Sequence, residues 1–118
     1  IAPSAPFLND YRDYFALVDW PGNWILQAAQ EQNIPVEELY VTLSYFDVKN
    51  FTDRIQCPVL MAIGLQDPVC PPHTNFAGFN HIKAEKSWIC YPEAGHNVWE
   101  QKGWPEAKQK FLDSFLWE

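Results

Sequence analysis

Apolar and polar positions follow two different spacings along these 118 residues. Residues 58–64 and 86–91 are short runs rich in apolar and aromatic side chains, and each ends at a break that contains glycine or proline, which is typical of strands. Apolar positions at helical spacing follow each run, over residues 72–81 and 105–117. Strands that alternate with helices of this length predict βα units and a parallel sheet.

The first third of the chain is helical in its spacing, from residue 7 to residue 46. A break at Asn33-Ile34-Pro35 separates a helix over residues 23–32 from a second helix that begins at Pro35, because proline suits the first position of a helix. In that second helix four apolar side chains recur at i, i+3, i+4 and i+7, namely Val36, Leu39, Tyr40 and Leu43. Asp47 is expected to cap a short turn after it.

Two full strands do not make a self-sufficient sheet. Residues 1–6 contain two prolines and read as the end of a further strand that enters a loop. We therefore expect an α/β chain that forms one edge of a larger doubly wound parallel sheet. In this division residues 1–56 hold a strand end and a helical, lid-like block, and residues 57–118 hold the terminal strand-helix-strand-helix unit. The strand over residues 58–64 should then have an unpaired edge, which predicts self-association.

Composition limits the classes of partner. The formal net charge is −7, and no Lys/Arg cluster is present, so we expect no nucleic-acid partner and no anionic membrane partner. The three cysteines form no C-x-x-C pair, so we predict neither a disulfide framework nor a metal site, and no motif indicates a cofactor. The free thiols slightly favour the cytoplasm, and no signal peptide is visible in these residues. The start at isoleucine indicates that residues upstream are missing, so the localisation stays unknown.

An acid and a histidine lie just past the two predicted strands. Asp67 follows the first strand, and His96 follows the second. Catalytic groups of open α/β sheets collect beyond the carboxyl ends of strands, and this is the second and third part of the chain order Ser…Asp…His. Two plainer interpretations stay open: Asp67 forms a turn or caps a helix, and His96 is a surface residue.

The remaining candidates have weaker support from the residues alone. None of the serines lies in a Gly-x-Ser-x-Gly elbow. His73 and His81 are expected to be structural, in the first and last turns of a helix. Trp20 and Trp24 suggest sugar stacking, although aromatic side chains more often pack in a core or an interface.

Three segments together resemble the acetyl xylan esterase / cephalosporin C deacetylase family. They are residues 43–61 (Leu-Ser-Tyr-Phe-Asp-Val-Lys-Asn-Phe-Thr-Asp-Arg-Ile-Gln-Cys-Pro-Val-Leu-Met), residues 64–74 (Gly-Leu-Gln-Asp-Pro-Val-Cys-Pro-Pro-His-Thr) and residues 91–96 (Tyr-Pro-Glu-Ala-Gly-His). The resemblance implies the C-terminal part of an α/β-hydrolase, with a helical insertion before the last two strands. It also implies that Asp67 orients His96 in a Ser-His-Asp mechanism that removes acetyl groups from acetylated sugars or other short esters, in a homo-oligomeric parent.

The missing serine divides the functional hypotheses. In the first, the chain is a C-terminal fragment of an acetyl ester deacetylase that carries the acid and the base and is inactive alone. In the second, it is a non-catalytic interaction domain or carbohydrate-binding domain that keeps the hydrolase scaffold.

Overall fold

The computed structural model describes residues 1–116, and the helices and strands follow the predicted order. The helical block comprises α1 (Tyr11–Leu17), α2 (Gly22–Glu31) and α3 (Val36–Ser44), and the strand-helix-strand-helix unit comprises β1 (Val59–Gly64), α4 (Pro72–His81), β2 (Lys86–Tyr91) and α5 (Trp104–Asp113). Single turns of 3₁₀ helix lie at Val48–Asn50, Thr52–Arg54 and Val98–Glu100. The bounds of α4 and β2 agree with the prediction. Helix α1 lies within the region predicted to be helical, residues 7–46, but the sequence analysis gave no separate bounds for it.

The strands β1 and β2 pair in parallel, in a register that places Val59 opposite Lys86 and Gly64 opposite Tyr91. The other edge of β1 is also paired, because the amide of Ala62 donates to the carbonyl of Pro3 (3.1 Å) and the amide of Ala5 donates to the carbonyl of Ala62 (3.1 Å). The prediction of an unpaired edge on β1 is therefore wrong. A proline lacks a donor, but its carbonyl still accepts, and here it faces β1.

All six residues of β1 are buried, as expected for a parallel strand that is covered on both faces. Successive side chains point to opposite sides of a strand. On one side Leu60 and Ala62 pack with Trp104 of α5, and on the other side Met61 and Ile63 pack with Phe79 of α4. The two helices therefore hold β1 between two small apolar cores.

The last helix is shorter than the sequence pattern indicates. The spacing predicts helix over residues 105–117, but α5 ends at Asp113. The hydroxyl of Ser114 donates to the carbonyl of Phe111 (2.7 Å), and such local bonds compete with the helical pattern. Phe115 and Leu116 lie beyond the helix end and are exposed. Position 117 lies outside the described residues.

Asp47 joins the start of α1 to the segment that follows α3. Its buried carboxylate accepts from the amide of Lys49 (3.0 Å), as the predicted cap of a short turn. The same carboxylate also accepts from the amides of Asp10 and Tyr11, both at 2.9 Å, at the start of α1. A single side chain thus satisfies backbone donors of two segments that lie far apart in sequence.

No helix within residues 1–116 combines the length and the apolar character that crossing a bilayer requires.

Candidate active site

The loops after β1 and β2 are bonded to each other at the carboxyl end of the sheet. The amide of Leu65 donates to the carbonyl of Tyr91 (3.1 Å), and the amide of Gln66 donates to the carbonyl of Ala94 (2.9 Å). A Cβ atom on Gly64 would lie 2.4 Å from the carbonyl oxygen of Gly95 and 2.6 Å from that of Ala94. A residue without a side chain is therefore needed at the end of β1, where the second loop approaches.

Asp67 uses its two carboxylate oxygens for two different tasks. Oδ1 accepts hydrogen bonds from the amides of Val69 and Cys70, both at 2.8 Å, which forms a tight turn before α4. Oδ2 lies 3.0 Å from Nδ1 of His96. The side chain of Asp67 is fully buried. The turn interpretation and the acid–histidine interpretation are thus compatible, because each uses a separate oxygen.

His96 has a second ring nitrogen, Nε2, on a side chain that is only partly covered. The side chain is 38% exposed, and none of residues 1–116 forms a hydrogen bond with Nε2. The ring of Trp99 stands edge-on to the imidazole, with ring centroids 5.2 Å apart and an angle of 89° between the planes. Sequence reasoning did not single out Trp99, although its position three residues after the histidine was an available signal. The imidazole is thus fixed by a hydrogen bond at Nδ1 and by contact with the ring of Trp99, and Nε2 has no hydrogen-bond partner within residues 1–116.

A buried thiol lies beside the acid–histidine pair. The sulfur of Cys70 and one ligand atom each of Asp67 and His96 lie within 4.8 Å of one another, so these groups are close enough to hold a metal ion. Burial, and secondarily the charge of Asp67, raise the pKa of Cys70 to about 12. At neutral pH and without a bound metal ion the thiol is therefore protonated. In this state Cys70 is a packed thiol next to the acid.

A second group of possible ligand atoms lies between α1 and α4. It comprises Asp10, Asp13 and His73. Each of these side chains already has a polar partner. Asp10 pairs with Lys49, and Nε2 of His73 lies 2.6 Å from the carboxylate of Asp13. His73 thus links α1 and α4 through its contact with Asp13.

The other predicted candidates are dispersed over the surface. Trp20 and Trp24 are 53% and 71% exposed, and one face of Trp20 stacks on Phe7. The hydroxyls of Ser44 and Ser114 donate to carbonyls three residues earlier in the chain. No serine within the described part of the chain is hydrogen-bonded to His96.

A buried carboxylate bonded to a loop histidine, at the carboxyl end of parallel strands with helices on both faces, is the arrangement of an α/β-hydrolase. Solved structures agree with this class. Acetyl xylan esterase 1 from Thermoanaerobacterium sp. JW/SL YS485 superposes with a TM-score of 0.83 at 33% identity, over 94% of this chain and 36% of that one. An acetyl xylan esterase from Paenibacillus sp. R4 gives 0.82 at 36% identity, over 98% and 37%. An acylaminoacyl peptidase at 14% identity, with a TM-score of 0.64, supports the fold alone.

The family model of acetyl xylan esterase (AXE1) matches residues 1–114, and the chain belongs to this family. A curated relative, the acetyl esterase Axe7A of Xylanibacter ruminicola, is 40% identical over 65 residues, which are 55% of this chain and 15% of that protein. The chain thus spans little more than a third of the solved esterases and a smaller share of the curated relative. The predicted family and fold class are confirmed.

Proposed function

We propose that this chain supplies the acid and the base of a Ser-His-Asp acetyl ester hydrolase that acts on acetylated sugars or similar short acetyl esters. The observation that carries the proposal is the 3.0 Å contact between Oδ2 of Asp67 and Nδ1 of His96, in a histidine whose side chain is 38% exposed. A histidine that acts as a general base at Nε2 requires this geometry, because the carboxylate at Nδ1 fixes its tautomer.

The steps follow from the position of each nitrogen. The proton on Nδ1 points to Asp67, so Nε2 carries the lone pair that accepts the proton of a serine hydroxyl as the serine oxygen attacks the acetyl carbonyl. Nε2 then returns this proton to the sugar oxygen, which leaves as an alcohol. Water attacks the acetyl-enzyme with the same base, and acetate and the free serine result. Asp67 accepts the hydrogen bond from Nδ1 throughout and stabilises the imidazolium, and two backbone amides hold its carboxylate in place.

The serine is supplied, in this proposal, by a part of the protein outside these 118 residues. Family membership and the likeness to two solved acetyl xylan esterases support this division. Without the nucleophile a triad loses on the order of 10⁶-fold in turnover. We therefore expect the 118-residue chain alone to be inactive. Separately, we expect the complete protein to be a homo-oligomer, as the family resemblance implies, and light scattering would test this.

The proposal is tested with p-nitrophenyl acetate. The 118-residue chain should hydrolyse this ester no faster than its His96→Ala variant does. In a longer protein that includes a Gly-x-Ser-x-Gly segment, His96→Ala should lower kcat on the order of 10⁶-fold, and Asp67→Asn on the order of 10⁴-fold. His81→Ala is the matched control, because His81 lies at the far end of α4, and its kcat should be unchanged. Full activity of the longer His96→Ala variant would refute the proposal.

A second candidate function rests on the exposure of two tryptophans in the helical block. Trp24 is 71% exposed and Trp20 is 53% exposed, and flat aromatic faces that reach solvent can stack on sugar rings. In this alternative the chain binds carbohydrate without catalysis. Titration of a xylo-oligosaccharide should then quench tryptophan fluorescence, and Trp24→Ala should abolish the quenching. Equal quenching in the variant, or none in the wild type, would exclude this alternative.

A further inference from the structure

A buried tyrosine of the helical block reaches the loop that carries the acid. Tyr14 of α1 is completely buried, and its hydroxyl lies 2.9 Å from the carbonyl oxygen of Val69. A second acceptor, the carbonyl of Trp20, is more distant at 3.3 Å. A hydroxyl has one proton, so the shorter bond to Val69 is its main interaction.

The peptide group that accepts this hydrogen bond also donates one to Asp67. The carbonyl of Val69 and the amide of Cys70 belong to the same peptide unit, and that amide lies 2.8 Å from Oδ1 of Asp67. A hydrogen bond accepted at a peptide oxygen polarises the group and strengthens the bond that its N–H donates. The result is a continuous series of bonds from Tyr14 through one peptide group to Asp67, and from Asp67 to His96.

The second amide at the same oxygen provides an internal comparison. The amide of Val69 also donates to Oδ1 of Asp67 at 2.8 Å, but it belongs to the preceding peptide, whose carbonyl is that of Pro68. Two hydrogen bonds of equal length thus reach the same oxygen of Asp67, and Tyr14 acts directly on only one of the two donating peptide groups.

We propose that Tyr14 is a positioning residue for the acid–histidine pair, through the polarised peptide between Val69 and Cys70. This inference rests on the proposed function of Asp67 and His96. Burial is the main cause that raises the pKa of Tyr14 to about 12, with smaller contributions from the nearby Cys70 and Asp67. The hydroxyl therefore remains a donor across the pH range in which an esterase works. Through it the helical block contributes to the geometry of a site that it does not line.

The test is Tyr14→Phe in the 118-residue chain, followed by ¹H–¹⁵N NMR. The amide proton of Cys70 should move upfield and exchange with solvent roughly tenfold faster, the factor that corresponds to one hydrogen bond of ordinary net strength. The amide proton of Val69 should move less. The ring N–H signal between His96 and Asp67 should broaden. Tyr11→Phe on the same helix is the control and should leave these signals in place, and the amide of Ile63 in β1 reports global stability.

Equal shifts of the Val69 and Cys70 amides, or no shift of either, would overturn the proposal. Faster exchange at Ile63 to the same extent as at Cys70 would also overturn it, because it would show general destabilisation. If Tyr14→Phe fails to fold, 3-fluorotyrosine at position 14 replaces it. This group keeps the shape and is a stronger donor, so the Cys70 amide should then move downfield by more than the Val69 amide, and any other result counts against the proposal.

These measurements use no ester, so they succeed or fail independently of the proposed reaction. In a serine-containing longer protein Tyr14→Phe should lower kcat by about tenfold at a nearly constant KM, because a positioning effect acts on the reacting geometry. If the expected NMR changes occur in Tyr14→Phe but the longer protein has no acetyl esterase activity, the proposed function is refuted, while the series of hydrogen bonds from Tyr14 to His96 is supported. Wild-type kcat in the variant would refute the positioning role alone.

Discussion

The strand-helix unit and the helical block of this chain stabilise their side chains in different ways. In the former, every residue of β1 is buried and two helices cover its faces. In the latter, α3 has no buried residue. Several large apolar side chains of the block are exposed, among them Leu17, Trp20, Trp24, Val36 and Val41. The acid and the histidine are attached to the first region, so their geometry depends on a packed core and on backbone hydrogen bonds.

The two regions meet at a few polar contacts. The hydroxyl of Tyr14 bonds to the acid loop, and Asp13 of α1 lies 2.6 Å from His73 of α4. Because the two regions differ in burial, the same kind of substitution should change stability by different amounts in each. Four predictions follow that comparison from the largest expected effect to the smallest.

Removing a tryptophan should be costly in one region and nearly neutral in the other. Trp104 of α5 is 1% exposed, and Trp24 of α2 is 71% exposed. We expect Trp104→Ala to lower the free energy of unfolding by about 3–5 kcal/mol, because it empties a closely packed core. Trp24→Ala should change it by less than about 0.5 kcal/mol. Urea denaturation followed by circular dichroism measures both, and similar losses for the two variants would invalidate the comparison.

Two glycines at the rim of the site should also differ. Gly64→Ala places a Cβ atom against two carbonyl oxygens, at 2.4 and 2.6 Å, and should destabilise the chain by about 1–3 kcal/mol. Gly95→Ala is the control, because its Cβ atom would come no closer than 3.8 Å to Gln66. It should be tolerated within about 0.5 kcal/mol. Thermal unfolding of the two variants checks this, and equal melting temperatures would contradict the described contact between the loops.

Alkaline pH should destabilise the core of the strand-helix unit, in which the thiol of Cys70 is buried. Burial raises the pKa of Cys70 from 9.0 to about 12, so the unfolded chain releases this proton at lower pH than the folded chain. The resulting stability is fully present below pH 9 and is lost as pH rises toward 12. Between pH 8 and pH 10 the loss is about 1.4 kcal/mol from this thiol. Cys70→Ala should flatten the slope of unfolding free energy against pH, whereas Cys57→Ala at the surface should keep it. An unchanged slope in Cys70→Ala would contradict this assignment.

The smallest effect concerns the cap of α1. Asp47→Ala removes an acceptor for the first amides of this helix and should cost about 1 kcal/mol, the usual size for a lost cap. Hydrogen exchange should accelerate in α1 and stay slow in β1, because the two regions differ in packing. Asp53→Ala is the control, since its carboxylate lies 3.9 Å from Lys83 in an exposed pair and should leave α1 unaffected. Equal acceleration in α1 and β1 would show that the block is not a separate unit of local stability.

The local sequence pattern predicted the elements that carry the site. Apolar runs placed β1 and β2, and the breaks after them located Asp67 and His96 at the same edge of a parallel sheet. The pattern overextended α5, because apolar spacing continues past Asp113 while the backbone already turns at Ser114. The pattern also predicted an unpaired edge on β1, which is wrong. The pairing of β1 with residues 1–5 joins segments more than fifty residues apart, and a local pattern does not report such a contact.

The sequence by itself determined the order of strands and helices, the positions of the acid and the histidine, and the family. These features depend on spacing within a few residues and on contiguous motifs. The tertiary structure alone decided that Asp67 divides its two oxygens between a turn and His96, that Trp99 borders the imidazole, and that Tyr14 reaches Val69 across 55 positions. Such contacts depend on how separate elements pack in space, and the periodicity of a single element does not encode that packing.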